Sequence, residues 1–161
     1  MSSVSAPILP TFTASPELAA HLQRALTDIT ALSLIGKQIH WNVVGAGFRD
    51  LHLNLDDVVN IARLGSDDLA ERMRAVNAVP DGRPATIASN NSLPEAPAEL
   101  VIVADAVEYI VAAINAVVTT LRDIHDAVDE ADPSSSGILE DYTGQLEQQA
   151  WFLASQNYRK A

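Results

Sequence analysis

The sequence predicts an all-α protein of four long helices, and three observations carry that expectation. Apolar residues recur at helical spacing, as in Leu18, Leu22, Leu26, Ile29 and Leu32. Phe48 to Asn77 contains no proline and only one glycine, Gly65, so it reads as a single long helix. The prolines fall between such stretches and punctuate them. No strand pattern and no internal repeat is visible.

Met1 to Pro16 is uncharged and holds three prolines, so residues 1–15 read as an extended arm ahead of a helical domain at 16–161. Ser15 can cap a helix that has Pro16 at its first position and Glu17 just inside. That helix should run to about Val44 and stop at Gly45-Ala46-Gly47, where glycine can take the left-handed C-cap conformation. So short a loop makes an antiparallel hairpin with the helix from Phe48. Val79 to Pro97 is a long connection, with room for a short helical turn, that can cross over a four-helix bundle. The third helix is expected over Ala98–Glu130. Asp132-Pro133 restarts the chain for a fourth helix to about Tyr158.

A chain of 161 residues with 48% hydrophobic content is long enough for one domain with a substantial core. Cysteine is absent, which excludes thiolate and disulfide chemistry and is compatible with a reducing compartment. The amino-terminal stretch lacks the positive region of a signal peptide, so a cytoplasmic location is expected. The longest weakly polar stretch, near Tyr109 to Val118, is too short to span a bilayer. The net charge of −11 argues against general affinity for DNA, which rests on Lys and Arg. Met1 to Pro16 contributes neither, and the carboxyl terminus only Arg159 and Lys160. An acidic surface suits attraction of cations, and equally plain solubility. There is no nucleotide-binding glycine loop, no G-x-S-x-G and no His-Glu-x-x-His.

Five residues stand out: His40, His52, Asp56, Asp67 and Glu71. Histidine and carboxylate suit iron and related metals. His52/Asp56 and Asp67/Glu71 are i, i+4 pairs, so each pair stacks on one helix face. All four lie within roughly 100° of arc, but His52 and Asp67 are roughly 22 Å apart along the axis. One ion cannot touch both. Either each pair serves a separate site, or a second copy of the helix lies antiparallel beside the first. The midpoints of His52/Glu71 and of Asp56/Asp67 coincide between Ile61 and Ala62. A two-fold axis there sets each His/Asp pair opposite a partner Asp/Glu pair and creates two equivalent sites. His40, on the apolar side of the preceding helix, would complete each. The same arc carries Asn60 and Arg63, as a solvated face does, so spacing alone leaves both readings open.

The run KQIHWNVVGAGFRDLHLNLDDVV, followed by GSDDLAERM, resembles the signature of the Dps family of mini-ferritins. The likeness covers His40-Trp41-Asn42, Gly45, Phe48, Leu51-His52, Asp56, Asp67 and Ala70-Glu71-Arg72, with QAWF at Gln149–Phe152 in support. It implies a ferritin-like four-helix bundle assembled as a hollow dodecamer, with an iron-oxidising centre at each dimer interface. His40, His52 and Asp56 would face Asp67 and Glu71 of the partner. Glu71 would bridge, or bind the tighter iron with His40 and Asp67; His52 and Asp56 would hold the second, weaker iron. The resemblance further implies oxidation of Fe²⁺, preferentially by hydrogen peroxide, storage of ferric mineral and protection from oxidative stress. Trp41 would then be a nearby electron donor. The acidic residues around the end of the third helix, with Asp126, Asp129, Glu130 and Asp141 as candidates, would form a pore. His21 and His125 show no ligand partner at useful spacing and read as surface or interface histidines. Two rivals use the same chain differently. A metal with an open position could assist hydrolysis of amides such as N-acyl amino acids. Or the protein could be a DNA-coating or purely structural shell, against which the missing basic tail weighs.

Overall fold

A computed structural model describes residues 10–158. The elements are α1 (Pro16–Asn42), β1 (Val43–Val44), α2 (Phe48–Ala75), α3 (Pro84–Asn90), β2 (Val101–Ile102), α4 (Val103–Ala131) and α5 (Pro133–Gln156). The four long helices are those expected, and α3 is the short helical turn within the connection. The expectations placed on residues 1–9 and on Arg159 and Lys160 lie outside the described residues.

The helix ends show local chemistry at work. Ser15 Oγ accepts the Leu18 N–H at 3.1 Å, as an N-cap should. α2 closes on a Schellman motif: the Ala78 N–H reaches Met73 O at 2.8 Å and the Asn77 N–H reaches Arg74 O at 3.1 Å. Asn77 takes the left-handed position there, φ 60°, in place of the usual glycine. Its side-chain amide donates to Pro10 O and Phe12 O, which ties the chain entering α1 to the end of α2.

Two boundaries and one pairing depart from expectation. α1 ends in an extended Val43, not a glycine cap, and the Val43 N–H bonds Ile39 O. Gly45 (φ 107°) and Gly47 (φ 80°) instead shape the turn, with Gly47 at the start of α2. The connection is longer than expected, because α4 begins at Val103 and not at Ala98. The chain does contain a strand pair: Val43 and Val44 pair in parallel with Val101 and Ile102. Two residues per strand leave no periodicity in sequence, and the pairing is imposed by the bundle that brings them together.

That pairing fixes the topology. The end of α1 lies beside the start of α4, and α2 runs back to the opposite end. The link from α2 to α4 must therefore cross the length of the bundle. α1 packs on α2 and α4, and α5 on α4 and α2. Gly65 permits one close approach: a Cβ there would collide with Ile29 Cδ1 and lie 3.0 Å from Tyr142 Cδ1. α4, at 29 residues, is long and apolar enough by length and composition to cross a bilayer, although its apolar stretch reads as shorter in sequence. Its Ile110, Ile114, Val117 and Leu121 are buried in the bundle, which makes it the core helix.

The crossing link is held from inside. Asp28, on α1, accepts hydrogen bonds from the Ser92 N–H and hydroxyl and from the Thr120 hydroxyl of α4. Among the described residues, no buried side-chain polar atom lacks a partner.

Candidate metal centre

The α1–α2 hairpin sets the last turn of α1 against the first turns of α2. This brings together His40, His52 and Asp56. The two imidazoles stack with centroids 3.6 Å apart. Each is held by the other's backbone: His40 Nδ1 donates to His52 O at 2.8 Å, and His52 Nδ1 donates to His40 O at 2.9 Å. A carbonyl only accepts, so both Nδ1 atoms carry the proton. Both Nε2 atoms of the neutral rings then present a lone pair, the form in which histidine binds metal. The His40 carbonyl lies in the last turn of α1, where the helix itself offers no donor, so His52 also satisfies an orphan group.

His40 is 7% exposed, and burial lowers its pKa below 6.5. It therefore stays neutral to lower pH than an ordinary histidine does. His40 Nδ1 lies 3.5 Å from Asp56 Oδ1. The same oxygen accepts a short bond from Lys37 Nζ, which, with the nearby histidines, holds the Asp56 carboxyl below its ordinary range. Lys37 escapes a search for metal ligands, because a cation is not one. Its place three residues before His40 is the signal that could have found it.

Asp67 and Glu71 are exposed further along α2, at the far side of its midpoint. Among the described residues, no three His, Asp or Glu side chains gather closely enough within one chain to hold a metal ion. The separation of the two halves follows from the helix itself. Trp41 follows His40 but points outward, 70% exposed.

The acidic residues near the end of α4 divide among partners. Asp123 pairs with Arg24, and Asp129 accepts from the Ser136 hydroxyl. Asp126, Glu130 and Asp141 are exposed. Asp132 is not one of a solvated set: it is buried, accepting from Arg72 at 2.7 Å and from the Ser135 hydroxyl. His125 does find partners, Asp126 at 3.0 Å and Glu140 at 2.9 Å. Glu140 comes from α5, across a helix pair that linear spacing does not reveal. Those two carboxylates raise the His125 pKa above 6.5.

Residues 19–159 match the ferritin-like domain family. The DNA protection during starvation protein of Mycolicibacterium smegmatis is 30% identical over 85% of this chain and 75% of its own length. This chain is a member of the Dps family. DNA protection during starvation protein 2 of Deinococcus radiodurans is 32% identical over 81% of this chain. The match covers only 54% of that relative, so the chain spans about half its length. Among solved structures, Dps from Microbacterium arborescens in its high iron form superposes with a TM-score of 0.80 at 33% identity. That alignment covers 91% of this chain and 98% of the other. The Dps bundle, its crossover and its helix order are therefore those of this chain.

Proposed function

We propose that this Dps protein oxidises Fe²⁺, preferentially with hydrogen peroxide, at a centre shared by two chains, and retains the Fe³⁺ as mineral inside a dodecameric shell. The observation that carries this reading is the reciprocal His40–His52 clamp, which leaves both Nε2 atoms free of those backbone bonds, with Asp56 Oδ1 3.5 Å from His40 Nδ1. Asp67 and Glu71 of a two-fold-related α2 would complete the donor set, an arrangement that the shared midpoint between Ile61 and Ala62 allows.

The donor set suits the chemistry. Imidazole and carboxylate both accept ferrous iron. Negative carboxylates stabilise the higher charge of Fe³⁺ and so favour oxidation. Two ferrous ions supply the two electrons that one peroxide takes up, so no hydroxyl radical need be released. Lys37 keeps Asp56 ionised and oriented before iron arrives. An acidic chain of net charge −11 draws cations toward the shell. The same charge leaves little for DNA at physiological salt. The cytoplasm, where iron meets peroxide, is the proposed location.

The test is stoichiometric Fe²⁺ oxidation with hydrogen peroxide and with oxygen, on wild type and Glu71→Ala. Glu71 is exposed, so its truncation spares the fold. Fast peroxide consumption, lost in the variant, is expected. Equal and slow oxidation in both proteins would refute the centre.

A further inference from the structure

The two-fold reading turns a strongly acidic face toward a second copy. Asp56, Asp67 and Glu71 all lie on it, so two chains bring six carboxylates together. Without bound metal these like charges oppose pairing. Lys37 is engaged by Asp56, Arg72 by Asp132 at 2.7 Å, and Arg74 donates to the Ala78 carbonyl at 2.8 Å. Arg63 is placed otherwise. It is exposed one turn before Asp67, and both side chains line one open groove of about 480 Å³. Among the described residues, Arg24, Arg72, Arg83 and Arg122 pair with carboxylates of their own chain, and Arg63 does not. Asn60, also exposed, sits three residues before it. The midpoint of Asn60 and Arg63 falls between Ile61 and Ala62, where the two ligand pairs have theirs. Both residues lie inside the same arc of α2, within roughly 2 Å of the axis along the helix.

An antiparallel copy therefore brings the partner's Asn60 level with Arg63, twice in each dimer. The amide oxygen of asparagine accepts and the guanidinium donates. The long arginine side chain reaches across while its charge stays near Asp67 and the partner's Asp56. We propose that Arg63 joins two copies of this chain across the α2 axis, donating to the partner's Asn60 and offsetting the carboxylates on both sides, so that the shared face pairs before metal is bound. This rests on the shared-centre reading above. Arg63 is then a positioning residue. It holds His52 and Asp56 opposite the partner's Asp67 and Glu71, and binds no metal itself. The contact is isologous, so each arginine makes it once and the dimer closes.

Sedimentation of chelator-treated protein over a dilution series tests this, with helix content checked by circular dichroism. Wild type should stay assembled to a concentration about tenfold lower than Arg63→Gln does, because each dimer of the variant lacks two charge-assisted bonds. Asn60→Leu, which removes the acceptor, should weaken assembly in the same direction. Arg63→Lys keeps the charge and should lose less than Arg63→Gln. Adding Asp67→Asn to Arg63→Gln should recover part of the loss, since it removes repulsion that the arginine offsets. Wild-type assembly in Arg63→Gln, equal losses in Arg63→Lys and Arg63→Gln, or a loss that Asp67→Asn leaves unchanged would overturn this proposal alone. So would a wild type that is monomeric without metal. Should Arg63→Gln fail to fold, Asp67→Asn in the otherwise wild-type chain decides: assembly no tighter than wild type means that no repulsion is being offset, and refutes the role. Peroxide-driven oxidation absent from wild type, with assembly still dependent on Arg63, would overturn the ferroxidase reading and leave this contact standing.

Discussion

Asp28→Ala tests how the long connection is locked to the bundle. Asp28 is 1% exposed, and its carboxylate accepts from the Ser92 N–H at 2.8 Å, the Ser92 hydroxyl at 2.6 Å and the Thr120 hydroxyl at 2.7 Å. A hydrogen bond to a charged group contributes about 1.5–3 kcal/mol net, so three set an upper range of roughly 4.5–9 kcal/mol. Alanine also removes a buried charge, whose desolvation costs several kcal/mol, and that offsets part of the loss. The two hydroxyls can turn toward other acceptors, whereas the Ser92 N–H is fixed by the backbone. We expect Asp28→Ala to destabilise by about 3–4 kcal/mol. Asp28→Asn keeps one acceptor oxygen and should cost about 1–2 kcal/mol. Urea unfolding at one protein concentration measures both, since the stability of an assembling protein depends on concentration. Amide exchange at Ser92 and Leu93 should quicken more in the alanine variant. A loss below about 1 kcal/mol in Asp28→Ala, or equal losses in the two variants, would show that the connection is held elsewhere.

Co-assembling His52→Ala chains with Glu71→Ala chains tests the shared centre. Each variant alone should be inactive, while random mixing restores about a quarter of the sites, one in each heterodimer; an inactive mixture would place the ligands within one chain. His125 carries a pH dependence. Its folded pKa lies above 6.5, so the stability it adds is fully present below pH 6.5 and is lost as pH rises through the raised value. The gap in urea midpoint between wild type and His125→Ala should therefore shrink with rising pH, and a constant gap would refute the ion pairs with Asp126 and Glu140. Gly65→Ala forces a methyl against Ile29 and Tyr142, at about 1–3 kcal/mol for overpacking, against roughly 1 kcal/mol gained in helix propensity. Its melting temperature should fall, and an unchanged or higher value would mean the core relaxes freely.

The sequence by itself determined the four helices, because their signals are local. Apolar periodicity, Ser15-Pro16 and Asp132-Pro133 act within a few residues of the structure they specify. It also determined that one helix cannot bring its own His52 and Glu71 together, since the rise per residue forbids it. Tertiary structure decided what depends on neighbours distant in sequence. Val43 ends α1 extended because Val101 lies beside it. Asp132 keeps its place as the N-cap of α5, and its carboxylate is a buried partner because α2 delivers Arg72. The histidine tautomers follow from two backbone carbonyls that face each other only in the folded hairpin. His125 finds Glu140, and Tyr142 finds Asp68, across helix pairs. Polar side chains carry no record in the sequence of which partner they will meet, because that choice belongs to the packing of whole helices.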